Sequence, residues 1–159
     1  MREMRRKDRE VTDLEKIREV LSACQVVRLG LQDGKGVYVV PVNFGYVEDG
    51  SHFTLYFHGA KEGRKAELIA KNGYAGFEMD TGSRIYGEDT ACTYTSAFRS
   101  IIGEGTVAAV ETMEEKRTGF LALMRHITGK DQWEFEDRML AAAAVFRLDV
   151  TEYRCKEHL

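Results

Sequence analysis

Apolar and polar residues alternate along most of this chain, and that period-two pattern predicts β-strands. Turn residues separate the strands, since Asp33-Gly34 and residues 48–51 each lie between two apolar segments and are typical of hairpins. The first three strands are therefore expected to form a meander, and the polar residues 82–89 are expected to form a loop. The predicted strands are residues 25–31, 36–47, 52–59, 74–80, 91–110 and 145–159.

Two of the later strands show additional features. Gly103 and Gly105 interrupt the long segment 91–110, and glycines inside a strand indicate a bulge or a sharp bend. In the last strand, Phe146, Leu148 and Val150 alternate with polar residues, so these three are expected on one buried face.

Four segments have the spacing and the end signals of α-helices. Capping boxes of the Thr-x-x-Glu type at residues 12–15 and 112–115 begin two of them. A third is expected to end at Gly73 in a left-handed conformation, and the fourth covers residues 133–144. The pattern as a whole predicts a mainly β fold, a small antiparallel β-barrel with peripheral helices.

Composition and charge limit the possible functions. Hydrophobic residues are 43% and charged residues 31% of the chain, which is ordinary for a globular protein, and the length predicts one domain over residues 1–159. The net charge of −3 gives no basis for binding nucleic acid or an anionic membrane. Cys24, Cys92 and Cys155 fit neither a metal site nor a disulfide framework, so a cytoplasmic protein is expected. The charged N-terminal segment lacks the apolar region of a secretory signal, and no stretch is long enough to span a membrane.

Pro41 is the only proline of the chain, and it lies inside a strongly apolar predicted strand. Because proline cannot donate to a sheet ladder, it belongs at an edge, at a strand start or at a bulge. Asn43 follows two residues later on the same face. One interpretation is an edge strand with a polar rim residue. The other is a strand whose free backbone groups face a flat ligand, and the sequence leaves both open.

Two cations lie where a helix is predicted to begin, since "GRKAELI" places Arg64 and Lys65 directly after Gly63. Helix N-termini have partial positive charge and usually attract acidic residues. A bound phosphate monoester would explain the cations, because it accepts helix N–H groups and pairs with Arg and Lys. Gly63 would permit close backbone approach. Alternatively the helix begins near Lys61, and both cations lie on a solvated face.

Three further candidates have weaker signals. His58 ends a strand at the entrance to the segment with the two cations, and it is either a hydrogen-bonding surface residue or a catalytic one. Ser96 and Ser100 alternate with Ala97 and Arg99, and such serines belong to a half-exposed strand or bind a cofactor. No triphosphate-binding loop, GxGxxG in a strand-turn-helix context, HExxH or GxSxG motif occurs.

Two features of the later helices are expected to be structural. Arg125 and His126 are predicted on a solvated face. Trp133, the sole tryptophan, is predicted to be a core or interface anchor.

The order of these motifs resembles that of the split-barrel flavoproteins related to pyridoxamine 5′-phosphate oxidase, and most closely the branch with the nitroimidazole-resistance reductases. The resemblance covers residues 8–156 and rests on "VYVVPVNFGY", "LYFHGAKEGRKAELIAKN", "YTSAFRSIIGEGTV" and "VFRLDVTEYRCKE". It implies a six-stranded antiparallel split barrel, and a homodimer that binds FMN at its interface. Trp133 and the closing strand are candidates for that interface.

The resemblance also implies roles for residues. A Ser-Arg-Lys-Ala segment holds the FMN phosphate in the oxidases, and here Gly63 replaces the serine while Arg64 and Lys65 are kept. In the oxidases the strand against the flavin reads Arg-x-Val-Leu-Leu-Lys, and here residues 37–43 take its place without either cation. On the later strand, Arg99-Ser100 matches an Arg-Gln pair of the oxidases. His58 matches the histidine that accompanies activity in the reductases and is the implied catalytic residue. The implied FMN-binding residues are Val40, Pro41, Val42, Asn43, Phe57, His58, Gly59, Ala60, Gly63, Arg64, Lys65, Ser96, Arg99 and Ser100.

The implied function is an FMN-dependent oxidoreductase that takes electrons from a reductant such as NAD(P)H and reduces a small acceptor, a nitroaromatic or a quinone. The C-terminal substrate-binding motif of the oxidases is not recognisable, which disfavours pyridoxine-phosphate chemistry. The alternative is a non-catalytic flavin-, deazaflavin- or haem-binding protein of the same fold.

Overall fold

The structure is a computed structural model that describes residues 3–159, and in this part of the chain eight strands and four α-helices occur. Residues 1–2, and with them the start of the charged N-terminal segment, lie outside the described residues. The single domain over residues 1–159 stays a prediction. The strands are β1 (Glu10–Val11), β2 (Val26–Asp33), β3 (Gly36–Asn43), β4 (Gly45–Asp49), β5 (His52–Gly59), β6 (Tyr74–Tyr86), β7 (Thr95–Ala109) and β8 (Ala144–His158). The helices are α1 (Leu14–Ala23), α2 (Arg64–Asn72), α3 (Met113–Thr128) and α4 (Asp137–Ala142).

All strands belong to one antiparallel sheet with the order β3-β2-β6-β7-β8-β5-β4, and β1 pairs with β8. The two predicted hairpins are confirmed, because β2 pairs with β3 and β4 pairs with β5. The predicted meander is confirmed in its two pairings but not in its single middle strand, because that strand divides at Phe44 into β3 and β4, which lie at opposite ends of the sheet order. The chain leaves one hairpin at Phe44 and enters the other, so this short connection links the two edges, and β3 contacts β5.

The inner face of the curled sheet surrounds the main core. Leu29, Phe57 and Leu148 are fully buried there, and Ile69 of α2 joins them. On the other side of β5, α3 packs against β4 and β5 around the buried Tyr56. β5 therefore lies between the core and α3.

The predicted fold class is confirmed, because the molecule is mainly β, its antiparallel sheet is not closed into a full barrel, and its helices are peripheral. The strands number eight in the described part because the segment 36–47 divides at Phe44 and β1 adds a short strand. In β8, Phe146, Leu148 and Val150 are buried as predicted.

The irregularity predicted in the long strand is confirmed by a register shift against β8 between Glu104 and Gly105. A Cβ atom on Gly105 would lie 2.0 Å from the carbonyl oxygen of Asp149. The bulge thus depends on a residue without a side chain.

The predicted loop over residues 82–89 is partly wrong, because β6 continues to Tyr86 and pairs there with Thr95. The backbone N–H and C=O groups of residues 84–86 pair with β7, so the polar side chains of this segment do not exclude a strand. The last pair of β7 with β8 is Phe98 with His158. Residues 82–97 therefore form a two-stranded ribbon that extends beyond β8, and we call it the arm.

Helix ends agree in part with the capping signals. Thr112 caps α3 as predicted, since its hydroxyl accepts a hydrogen bond from the backbone N–H of Glu115 at 3.2 Å. In α1 the cap is Asp13 rather than Thr12, and its carboxylate accepts from the backbone N–H of Glu15 at 2.9 Å. Both residue types favour the N-cap position, so the pattern alone could not select between neighbours.

The predicted helix over residues 133–144 is much shorter, because only Asp137–Ala142 is helical. Trp133 lies in the preceding irregular segment, where its indole N–H donates to the carbonyl oxygen of Lys130 at 2.9 Å. The Lys130 ammonium in turn lies 4.4 Å from the centre of the indole ring. These local contacts replace the first helical turns.

None of the helices in residues 3–159 is long and apolar enough to cross a membrane. Cys24 and Cys155 are buried free thiols, whereas Cys92 is exposed. Burial raises the pKa of Cys24 to about 12 and that of Cys155 to about 11, so both buried thiols stay protonated.

His126 does not lie on a solvated face, which corrects the prediction for this residue. Its ring is half-buried against Phe44 and Tyr46, at centroid distances of 4.6 and 5.4 Å. Nε2 lies 2.6 Å from the carbonyl oxygen of Cys24 and donates to it when the ring is neutral. Burial lowers the pKa of the imidazole, and it outweighs the opposing effect of this hydrogen bond.

We expect the free energy of unfolding to fall as the pH drops below about 6.5, the usual pKa of an unfolded histidine. Below that pH the unfolded chain binds a proton that the folded imidazole binds only at lower pH, so acid favours unfolding. Urea unfolding at pH 7.5 and 5.5 measures the effect. His126→Gln keeps a donor for Cys24 and should lose less stability between the two pH values than the wild type. His52→Gln, an exposed control, should not change the difference, and an unchanged difference in His126→Gln would contradict the prediction.

Candidate functional site

α2 begins at Arg64, so Arg64 and Lys65 occupy its first turn, and the alternative start near Lys61 is wrong. The first intrahelical bond runs from the N–H of Glu67 to the carbonyl oxygen of Gly63 at 3.0 Å. The preceding N–H groups of the turn therefore have no acceptor within the helix. Gly63 has φ 111°, a conformation that other residues rarely adopt, and it turns the chain into the helix.

Lys65 is a half-buried cation that no carboxylate of residues 3–159 neutralises. Its Nζ lies 3.5 Å from the carbonyl oxygen of His58 and 5.9 Å from the ring centres of Phe57 and Phe146. A Cβ atom on Gly59 would lie 2.7 Å from Nζ, so this glycine leaves the space that the ammonium occupies. Burial lowers the pKa of Lys65, and a nearby anion would reverse that effect.

The side chain of Arg64, the residue before Lys65, contacts the hairpin of β2 and β3. Its Nε and Nη2 donate to the same oxygen of Asp33, at 2.8 and 2.6 Å. Its guanidinium carbon lies 4.3 Å from the ring centre of Tyr38. Asp33 thus already compensates the charge of Arg64, unlike that of Lys65.

β3 is an edge strand, and Pro41 pairs there with Arg28 of β2. The edge position agrees with both interpretations of the proline, because an edge leaves backbone groups of β3 without a strand partner among the described residues. Pro41 and Asn43 are exposed, whereas Val40 and Val42 are half-buried on the opposite face. A flat ligand on one face would therefore reach two of these four side chains. The Asn43 amide also donates to the carbonyl oxygen of Gln25 at 3.1 Å.

The end of β5 places Phe57 and His58 on opposite faces. Phe57 is buried and stacks on Phe146 with a centroid distance of 5.4 Å, so only its backbone can touch a ligand. His58 is exposed, and its ring centre lies 5.8 Å from that of Phe120 on α3. Gly45 pairs with Tyr56 in the β4–β5 ladder, so the end of β3, two residues before Gly45, arrives at the level of His58.

α3 is fixed over this end of β5 by Glu115. Its Oε1 accepts from the hydroxyl of Tyr56 at 3.2 Å and from Nη1 of Arg147 at 2.7 Å. Burial, together with the negative charge of Glu115, raises the pKa of Tyr56 to about 12, so the phenol stays neutral and donates. This network positions Phe120 beside His58.

Ala60 is exposed in the loop between β5 and α2. The remaining predicted residues lie on β7, where the expected alternation is confirmed. Ala97 and Ile101 are buried on the face that Arg99 shares, and Ser96 and Ser100 lie on the other face. An Arg99-Ser100 pair therefore spans two faces of the strand.

The structure does not bring these β7 residues to Arg64. Ser100 pairs with Asp80, whose carboxylate accepts from Arg28 at 2.7 Å. Arg28 is five residues along β2 from Asp33, the partner of Arg64, which is about 17 Å at 3.3 Å per residue. Within one chain the predicted residues thus form two separate groups.

Two clefts in the described part of the chain, with volumes of about 520 and 560 Å³, are lined by other residues. The smaller lies between β1 and β8, and the larger lies between β4 and α3. The predicted site is instead an open strip along β3, the end of β5 and the start of α2.

The first turn of α2 fits a phosphate monoester. It offers free N–H groups, a half-buried ammonium without an anionic partner among the described residues, and the guanidinium of the preceding residue. Asp33 and Tyr38 belong to this site as partners of Arg64, and neither was predicted as a site residue from the sequence. Asp33 was assigned to the turn and Tyr38 to the strand, and no local pattern showed that α2 would dock on their hairpin.

Comparisons with known proteins bear on the family and the fold of this chain. The sequence model of the pyridoxamine 5′-phosphate oxidase family matches residues 13–157. No curated protein matches the chain. A candidate 5-nitroimidazole antibiotic resistance protein of Bacteroides thetaiotaomicron is 30% identical, with a TM-score of 0.79 over 92% of this chain and 85% of that one.

Two more distant structures show the same fold. The FAD- and haem-binding protein of Mycobacterium smegmatis is 18% identical, with a TM-score of 0.81 over 94% of this chain and 73% of that one. A candidate pyridoxamine 5′-phosphate oxidase of Listeria innocua is 23% identical, with a TM-score of 0.57 over 89% and 95%.

Proposed function

The chain belongs to the pyridoxamine 5′-phosphate oxidase family, and we propose that it is an FMN-dependent oxidoreductase that reduces a small organic acceptor. The relative at 30% identity supports a nitroaromatic such as a 5-nitroimidazole as the acceptor, and a quinone has similar redox chemistry. The proposed compartment is the cytoplasm, where free thiols persist.

The observation that supports this function most directly is the charge at the start of α2. Lys65 has no carboxylate partner among the described residues, and the turn offers free N–H groups to one anion. A single terminal phosphate, as in FMN, matches a single cluster of this kind. FAD would require a second set of phosphate contacts.

When bound, the flavin supplies the transfer of electrons between a reductant such as NAD(P)H and the acceptor. The chain's own residues bind and orient it. Lys65 supplies positive charge to the phosphate, Arg64 supplies N–H donors, and the edge of β3 from Val40 to Asn43 offers backbone groups to the ring. The exposed imidazole of His58 is available to hydrogen-bond the acceptor or to give it a proton.

The proposed assembly is a homodimer with FMN at the interface. Four exposed apolar side chains share the outer face of the sheet, with exposures from 49% to 74%: Val37, Val39, Ile85 and Ile102. Ile85 belongs to the arm, and a two-stranded ribbon with exposed apolar residues is marginal by itself in water. A second copy would cover this outer face and would bring its Ser96 and Ser100, together with the strand that contains Arg99, to the other group of site residues.

Exchanging Ile85 and Ile102 for Glu should convert the dimer into a monomer, because the charges would be buried in the interface. Light scattering at micromolar concentration measures the mass. Loss of the dimer should also lower the affinity for FMN, because the proposed site includes residues of the second copy. Ile127→Glu, at a 44% exposed position on α3, is the control and should leave both unchanged. A wild-type monomer with bound flavin would contradict the dimer.

A second candidate function is a non-catalytic flavin or haem carrier, which the fold of the Mycobacterium smegmatis protein favours. Purified protein tests the choice of ligand, because heat releases a bound cofactor for identification by mass. FMN is expected, while stoichiometric FAD, or haem without flavin, would contradict the proposal. Oxidation of NAD(P)H in the presence of nitroaromatic and quinone acceptors then tests turnover, and FMN without turnover would indicate the carrier.

A further inference from the structure

We propose that Asp33 and Tyr38 are positioning residues that hold the Arg64 guanidinium in the orientation in which it binds the cofactor phosphate. This inference rests on the proposed function, since it assigns the partners of a residue at the same site.

Both partners of Arg64 belong to the hairpin of β2 and β3. Asp33 is the last residue of β2, and Tyr38 is the third residue of β3, joined to β2 by a two-residue turn. The carboxylate accepts Nε–H and one Nη2–H, while the guanidinium carbon lies over the phenol ring, 4.3 Å from its centre. The hydrogen bonds hold one edge of the guanidinium, and the cation–π contact holds the group over the ring.

The contacts leave donors for an anion. Asp33 uses the Nε side of Arg64, so both N–H groups of Nη1 and one of Nη2 remain. An exposed arginine would otherwise lose much rotamer freedom when it binds a ligand. Contacts that already remove this freedom make later binding more favourable.

A role in stability alone explains the arrangement less well. The Arg64 side chain is 60% exposed and that of Asp33 is 35% exposed. Exposed ion pairs contribute little to folding. The same residues nevertheless fix Arg64 next to Lys65, the cation that lacks a carboxylate.

Asp33 has two opposing effects on a phosphate, because it positions Arg64 and also repels the anion. Substitutions separate them. Asp33→Asn keeps an oxygen acceptor for Arg64 without the charge, whereas Asp33→Ala removes the acceptor. Tyr38→Phe keeps the ring beneath Arg64, whereas Tyr38→Leu removes it.

The test compares the dissociation constants of FMN and riboflavin for each variant by fluorescence titration. Asp33→Ala should weaken FMN binding about 10-fold, because Arg64 is no longer held in place and one charge-assisted hydrogen bond from Arg64 to the phosphate is lost. Tyr38→Leu should weaken it about 2- to 5-fold, as expected for an exposed cation–π contact. Asp33→Asn and Tyr38→Phe should stay close to wild type, and riboflavin should bind all variants alike. Asp49→Ala, the corresponding residue of the β4–β5 hairpin, is the matched control.

A second readout needs no cofactor. In the apo protein the Arg64 Nε–H should exchange slowly and be shifted by the Tyr38 ring in NMR spectra. Asp33→Ala should accelerate the exchange and Tyr38→Leu should remove the shift, while Asp33→Asn and Tyr38→Phe should preserve both.

Several outcomes would overturn the inference. Tighter FMN binding by both Asp33 variants would make Asp33 a competitor of the phosphate. Parallel weakening of FMN and riboflavin would make the contacts structural. No change in Asp33→Ala, while Arg64→Ala weakens FMN, would also reject the positioning role. If Arg64→Ala itself has no effect, or the wild type binds no FMN, the proposed phosphate site fails and the inference fails with it.

Discussion

Lys65→Ala and Arg64→Ala are each expected to weaken FMN binding about 10- to 150-fold and to leave riboflavin binding almost unchanged. A hydrogen bond to an ionised group contributes roughly 1.5–3 kcal/mol, and about 1.4 kcal/mol corresponds to a factor of ten. The larger effect is expected for Lys65, since it is half-buried and has no carboxylate partner in residues 3–159. The double variant should be largely apo after purification.

Riboflavin lacks the phosphate, so its binding separates a lost phosphate contact from a damaged fold. Lys61→Ala is the matched control, because Lys61 is exposed in the loop before α2 and outside its first turn. Dissociation constants from flavin fluorescence provide the comparison. Equal losses for FMN and riboflavin, or no loss for either, would place the phosphate elsewhere.

The sequence predicted the start of α2 less firmly than its end. Gly73 ends the helix with φ 63°, as its type and position indicated. At the other end Gly63 caps without a side chain, and the cations oppose the helix dipole, so local signals allowed two starts. Tertiary contacts decide the question, because Arg64 bonds to Asp33 and Lys65 fits over Gly59.

The sheet order could not be predicted from the strands themselves. Period-two alternation identifies a strand and its buried face, and hairpin turns identify neighbours along the chain. Neither signal contains information on strand pairs that are distant in sequence, such as β2 with β6 or β5 with β8. For the same reason the pattern did not show that the middle strand of the predicted meander divides at Phe44, with its two halves at the two edges of the sheet.

The sequence predicted individual residues of the candidate site but not their positions relative to one another. Motifs along the chain identified Arg64, Lys65 and His58, which the structure places around the end of β5 and the start of α2. The same motifs included Ser100, which lies on a different part of the sheet from Arg64 in the same chain. In the proposed homodimer the site is divided between two copies, and such a site leaves no local signature because each copy needs only its own residues to fold.

His58→Ala is expected to slow turnover about 10²- to 10⁴-fold while FMN affinity stays close to wild type, the range typical for loss of a general acid. The imidazole is exposed beside Phe120, whereas Lys65 contacts only the backbone carbonyl of His58. Removal of the ring therefore leaves the proposed phosphate contacts in place. Steady-state oxidation of NAD(P)H with nitroaromatic and quinone acceptors measures turnover, and flavin fluorescence measures occupancy.

His52→Ala is the control for this experiment, since His52 is exposed at the other end of the same strand. If FMN occupancy and turnover fall together in His58→Ala, the imidazole supports the cofactor and not the acceptor. If turnover is unchanged with every acceptor, His58 is a surface residue beside α3, and the acceptor must obtain its proton from water or from another group. A loss confined to turnover would place the acceptor on the α3 side of β5, opposite to the core face on which Lys65 lies over Phe57 and Phe146.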